Sequence, residues 1–203
     1  MKGARLLVAL CLCLAGCGTL LAPGPAPTRL QLRPALPGKL AAAPADKQLV
    51  AARPSAANEI NGDAIAMSLG NREIRYLSGV LWTDDAPSLV QRFVLEALEE
   101  SNILRGVGDE SIGIAADLRL LIDIREFGLR CETAESMPAG VFSARFRLID
   151  ERNGKISGTL NVLETAQASD NDAVSLAVAC ETALSRGLAR ITQWMARMLG
   201  RAL

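Results

Sequence analysis

The residue best placed for covalent chemistry is Cys17. It closes the run Leu14-Ala15-Gly16-Cys17, in which two small residues let an extended backbone enter a peptidase cleft and the thiol that follows accepts lipid. Ahead of it, Lys2 and Arg5 form a short positive segment, and Leu6–Leu14 is an unbroken apolar run of nine residues. A bilayer span needs about 20 apolar residues, so this run suits the hydrophobic region of a signal peptide. The pattern reads as a bacterial lipobox cleaved before Cys17; an ordinary secretory signal with an incidental cysteine is the weaker alternative. Cys17 is the expected lipidation site, palmitate-type acyl chains fixing the protein to a membrane. One chain alone holds a protein only marginally, and lipoproteins of this kind carry two or three. Gly18 follows the cysteine where Asp would signal retention, which in a Gram-negative host favours the outer membrane with the domain facing the periplasm.

The remaining inventory is poor in chemistry. The chain has 203 residues and no histidine, which removes the commonest general base and metal ligand. Ser-His-Asp, Cys-His and histidine–zinc sites are therefore excluded. Lys39, Lys47 and Lys155 lie in turn-like or strand-edge settings, poor places to depress a lysine pKa by burial. Asp84-Asp85 reads as a helix cap and its solvated neighbour. Gly106-Val107-Gly108 lacks the context and the lysine of a phosphate loop and reads as a loop. Outside the leader and Cys17, only Cys131 and Cys180 remain as thiols. They are free to pair in an oxidising compartment, yet Cys180 falls on an apolar helix stripe, where cysteine acts as a small hydrophobe. The expectation is a non-catalytic protein with no cofactor and no metal.

Charge is balanced at 22 basic and 22 acidic residues, so no basic stripe points to nucleic acid. Removing residues 1–16 leaves 187 residues, most simply one domain. Gly18 to Pro27 is small and proline-rich, a tether reaching about 30 Å at most. The expected organisation is a signal peptide over 1–16, a lipidated tether over 17–27 and a domain over 28–203.

Within the domain, strands are expected at Thr28–Arg33 and Gln48–Arg53, followed by a hairpin from Asp63–Leu69 and Glu73–Leu77. Asp85 and Pro87 suit a helix start, and Val90, Phe93, Val94, Ala97 and Leu98 form one helical face over Ala86–Asn102. Alternation predicts a strand over Ile114–Glu126 with Leu118, Leu120, Ile122 and Ile124 inward. Phe142, Ala144, Phe146 and Leu148 repeat it, and Asn153-Gly154 turns the chain into a third strand carrying Ile156, Leu160 and Val162. A long helix from Asp170 to Leu199 carries the stripe Ala173, Ala177, Cys180, Leu184, Leu188, Ile191, Met195 and Met198. The fold class is α/β (α+β): a two-layer sandwich of an antiparallel-rich sheet against two main helices. The charged strand face places Arg119, Arg125, Arg145 and Arg147 as candidate partner-facing residues. Trp82, just before the helix, either staples the helix start or fills a partner's pocket.

The order of these features resembles a known family. A Leu-x-Leu strand (Leu30, Leu32) and a short strand ending in Pro54 precede Arg75-Tyr76-Leu77, then Trp82-x-Asp84 and Pro87. Leu89-Val90-Gln91, Leu98-Glu99-x-Ser101 and Asp123-Ile124-x-x-Phe127 follow. Over residues 28 to 199 this resembles the ABC-type transport auxiliary lipoproteins, which include the Pqi-type intermembrane transport lipoprotein. The chain departs from the usual Trp-Ala-Asp/Glu-x-Leu-Pro, having Trp82-Thr83-Asp84-Asp85-Ala86-Pro87. The resemblance implies a non-enzymatic auxiliary to an MCE-type ABC system carrying phospholipid between the inner and outer membranes, with an MCE-domain protein as partner. Self-association into a homo-oligomer is left open. The alternative is a structural envelope-assembly lipoprotein that binds peptidoglycan or an outer-membrane machine.

Overall fold

The computed structural model describes residues 26–200 except 71, 114 and 134. Cys17, the leader and most of the tether lie outside the described residues. In chain order the elements are β1 (Thr28–Leu30), β2 (Ala45–Ala51), β3 (Ser55–Ala56), β4 (Ala64–Leu69) and β5 (Glu73–Trp82). Helix α1 (Ala86–Glu100), β6 (Leu104–Asp109), β7 (Leu118–Cys131), β8 (Ala139–Asp150), β9 (Lys155–Gln167) and helix α2 (Ala173–Met198) follow. The strands form one nine-stranded mixed sheet. The helices touch each other and cover a single face of it, α2 over β8 and β9 and α1 over β6.

Strand β7 is the organising element. One edge pairs antiparallel with β8 along its length, and β8 pairs with β9 in the expected meander. The other edge receives three short strands in succession, all parallel: β2 at Leu118–Leu120, β3 at Asp123–Ile124 and β4 at Leu129–Cys131. Beyond them, β6 extends the sheet from β2, and β5 and β1 extend it from β4.

Both helices start as their sequences dictate. The Asp85 carboxylate accepts the Ser88 N–H, with a proline in the first turn, and Asp172 accepts from the Val174 and Ser175 N–H groups. Such caps contribute about 1 kcal/mol each by satisfying otherwise orphaned donors. Gly200, with φ +65°, follows the end of α2. The stripe from Ala177 through Cys180, Leu184, Leu188, Ile191 and Met195 is buried. Contact with the sheet is close: a Cβ on Gly140 would stand 2.2 Å from the carbonyl carbon of Ala179, and one on Gly187 would stand 2.4 Å from the Phe142 ring.

Four expectations are corrected. The strand expected from Ile114 to Glu126 runs from Leu118 to Cys131; Ile114 lies outside the described residues. A bulge between Ile124 and Glu126 shifts its register against β8. The inward parity therefore passes from even residues to Phe127 and Leu129, both 2% exposed. Gly106-Val107-Gly108 is not a loop but the middle of β6, where Gly108 lies so close to Ile112 that a Cβ would stand 1.9 Å from its Cδ1. Ile156 does not join the core but is 58% exposed, because it precedes a register shift at Leu148/Ile149. Trp82, offered as a partner-facing residue, is 1% exposed. It packs inside the core against Phe127, with ring centroids 5.8 Å apart.

Candidate partner-docking face

The sheet face away from the helices holds the candidate arginines. Arg145 stands opposite Asp123 and Arg147 opposite Leu121 in the β7–β8 ladder, so alternation puts both on the face opposite the core. Arg119 is tied down: its guanidinium donates to Glu151 Oε1, and at 2.6 Å to Glu110 Oε1. Arg145 Nε donates to Asn161 Oδ1 at 3.0 Å, and Arg125 lies 4.0 Å from Asp123. Arg147 makes no side-chain hydrogen bond or ion pair among the described residues. The structure thus brings the four onto one surface but leaves them unequally available. Exposed pairs of this kind contribute about 0–1 kcal/mol each, so their worth lies in displaying charge.

Beside the arginines lies a small groove of about 50 Å³, walled by Ser68, Ile74, Glu126, Gly128 and Val141 among others. Ser68 Oγ is buried there without a hydrogen-bond partner. Ile74 and Tyr76 stand at its β5 side, 45% and 51% exposed. The sequence marks β5 as a strand but not these two as surface, because alternation with the charged Glu73 and Arg75 would turn them inward, whereas both faces of this part of β5 are exposed. Trp82 supports this region from within. Its carbonyl accepts from Arg29 Nη1 at 2.9 Å, and the same guanidinium nitrogen reaches Asp63 at 3.0 Å, fastening β1 to the β4–β5 hairpin.

Cys131 and Cys180 are both free and buried. The Cys180 thiol donates to the Gly128 carbonyl at 3.0 Å, and the Cys131 thiol to Met67 Sδ at 3.6 Å. Burial pushes the Cys180 thiol up to about 12 and raises that of Cys131. The thiolate is the reactive form, so the folded domain should leave both cysteines unmodified by iodoacetamide at pH 8. Both should react once guanidinium unfolds the protein. Rapid alkylation of Cys180 in the folded state, read by mass spectrometry, would contradict its placement under β7.

Several carboxylates are held below their ordinary range. The Arg152 side chain, by hydrogen bond and charge, lowers Asp150 to about 2. Asp172 is lowered by the Ser175 hydroxyl and backbone N–H, and Asp117 by the Gln48 N–H and Lys47. Each binds its proton less readily folded than unfolded. Their stabilisation is therefore complete above the unfolded carboxylate pKa of about 4 and is lost as pH falls through the lower folded values. With no histidine in the chain, the melting temperature should stay level between pH 5.5 and 8 and decline below pH 4. A step between pH 6 and 7 in a thermal-melt series would contradict this.

No group of three or more His, Cys, Asp or Glu residues is placed to hold a metal ion among the described residues. No helix among them is long and apolar enough to cross a membrane.

The family model for the ABC-type transport auxiliary lipoprotein component matches residues 30–196. The chain belongs to this family. The auxiliary lipoprotein thereby has a transporter as its functional setting and the cell envelope as its location. Among solved structures, it is similar to protein XCC0632 from Xanthomonas campestris, of family-model DUF330. That match has a TM-score of 0.76 and 22% identity, covering 84% of this chain and 96% of the other. An uncharacterized protein matches with a TM-score of 0.64 and 12% identity, over 84% of this chain and 99% of the other. Likeness at these identities establishes the fold. No curated protein matches the chain.

Proposed function

We propose that this auxiliary lipoprotein is a non-catalytic docking component of an MCE-type ABC phospholipid transport system. In this reading residues 1–16 are removed, Cys17 is acylated, and residues 17–27 tether the domain to the outer membrane, facing the periplasm. The family match over residues 30–196 carries the reading, and the lipobox agrees with it. An MCE-domain protein spanning from the inner membrane is the proposed partner, met by the sheet face bearing Arg145 and Arg147. The close approach of α2 to β8 at Gly140 and to Phe142 at Gly187 favours a solid adaptor over a lipid carrier with its own cavity.

The test is crosslinking in intact envelopes with a photoreactive residue at position 147, followed by capture of the lipoprotein. The expected product contains an MCE-domain protein, and the double substitution R145E/R147E reduces its yield. Crosslinks only to peptidoglycan-bound or barrel-assembly proteins would overturn the proposal in favour of an envelope-assembly role. Undiminished capture by R145E/R147E would reject the arginine face as the docking surface.

A further inference from the structure

One end of the molecule carries apolar side chains beyond the arginines, of which Ile74 and Tyr76 border the docking face and the rest lie away from it. It is the end where β4, β7 and β9 finish and α2 begins. Met137, in the β7–β8 connection, is 43% exposed. Val174 and Val178, one turn apart at the start of α2, are 63% and 51% exposed. The contact between Gly140 and Ala179 places that first stretch of α2 beside the start of β8. Ile74 pairs with Ser68, and Ser68 with Arg130 near the end of β7, so Ile74 stands at the same level, with Tyr76 one step further from the tip.

Chain direction connects this end to the proposed anchor. Strand β1 runs parallel to β5, with Thr28 beside Val80 and Leu30 beside Trp82. The chain therefore approaches β1 from the end of the sheet where the β4–β5 turn lies. From Val80 to Glu73 at that turn is seven strand residues, a span of about 23 Å at most. The ten residues between Cys17 and Thr28 reach about 30 Å when extended. An acylated Cys17 can therefore sit in a membrane that this end touches.

We infer that this end of the domain rests on the lipid bilayer. Met137, Val174 and Ile74 enter the boundary between headgroups and acyl chains, and Tyr76, apolar in its ring and polar at its tip, stands at headgroup level. The inference rests on the lipidated-Cys17 reading and adds an orientation to it. Charge at this end leans acidic: Arg75 pairs with Glu73 and Arg130 with Glu126, while Glu132, Glu135, Asp170 and Asp172 stand exposed beside Met137 and Val174. Contact is thus made by apolar insertion and not by attraction to anionic headgroups, whose repulsion of these carboxylates salt would screen. The Asn153-Gly154 turn between β8 and β9, and Ile156 beside it, project from the opposite end, away from the membrane.

The experiment uses the full-length lipoprotein purified from envelopes and reconstituted in phosphatidylethanolamine–phosphatidylglycerol vesicles. Met137→Cys, Val174→Cys and, from the far end, Ile156→Cys are each labelled with an environment-sensitive fluorophore. Labels at 137 and 174 are expected to lose most of their quenching by aqueous iodide and to be quenched by lipids brominated near the headgroup. The label at 156 should behave as in detergent. If the protein floats with vesicles in high salt but all three labels remain equally open to iodide, the orientation is overturned while the anchor stands. Protection at 137 and 174 without quenching by brominated lipid, accompanied by crosslinks between copies, also overturns it, assigning this end to a second copy. If the unmodified protein fails to float in high salt, the lipidation reading is overturned, and the orientation with it.

Discussion

Phe127→Ala is expected to destabilise the domain by about 3–5 kcal/mol, the usual cost of emptying a buried aromatic site. For a domain of this size that lowers the melting temperature by roughly 6–20 °C. Phe127 is 2% exposed and lies between two other rings, stacked on Trp82 at 5.8 Å and edge-on to Phe142 at 6.0 Å. Aromatic pairs in such geometries contribute beyond the area they bury. The ring also links the two halves of the sheet, since Trp82 ends β5 and Phe142 lies on β8. Phe127→Leu, which keeps most of the volume, should cost about 1.5 kcal/mol or less. Thermal and urea melts of both variants check the pair; equal losses would show that shape at this position does not matter.

The second large effect is expected at Gly140. An alanine there would bring its Cβ to 2.2–2.4 Å from three backbone atoms of the Ala179–Cys180 peptide. A helix backbone cannot rotate away as a side chain can. Either α2 moves off β8 as a body or β8 bends, and overpacking of this kind costs about 3 kcal/mol, the top of the usual range. A displaced α2 would also uncover Cys180, so Gly140→Ala should speed alkylation of that thiol along with lowering the melting temperature by roughly 6–12 °C. Unchanged alkylation would place the adjustment in the sheet.

The contrast between these sites and the sequence reading shows what local pattern can reveal. The Asp85 cap, the α2 stripe and the Phe142–Leu148 alternation were legible because each depends on residues within a few positions of one another. The second half of β7 was not. Its even-numbered parity is interrupted by a bulge at Ile124/Glu126, and a one-residue slip exchanges the faces. Nor was β6, because Gly106 and Gly108 carry no side chains through which alternation could show and glycine is depleted in strands. The candidate face was half legible. Alternation put Arg145 and Arg147 on one surface, but what occupies Arg119 is Glu110 and Glu151, which only the fold brings to it. Trp82 preceding a helix cap suited a staple and a partner plug alike, and burial against Phe127 removed the second.

The succession of β2, β3 and β4 along one edge of β7 has a consequence for how the chain reaches this state. Each rung there joins residues about 60–70 positions apart, whereas the β7–β8–β9 meander closes through short turns. Long loops must be closed before such rungs give any return, so contacts of this range slow folding. The meander is thus the natural nucleus, and the strands made first are the last to find their places. A growing chain carries apolar segments such as Leu49–Ala51 and Ile65–Ala66 unpaired until residue 118 and beyond have arrived. Until then those segments are exposed apolar surface, the condition under which incomplete chains aggregate.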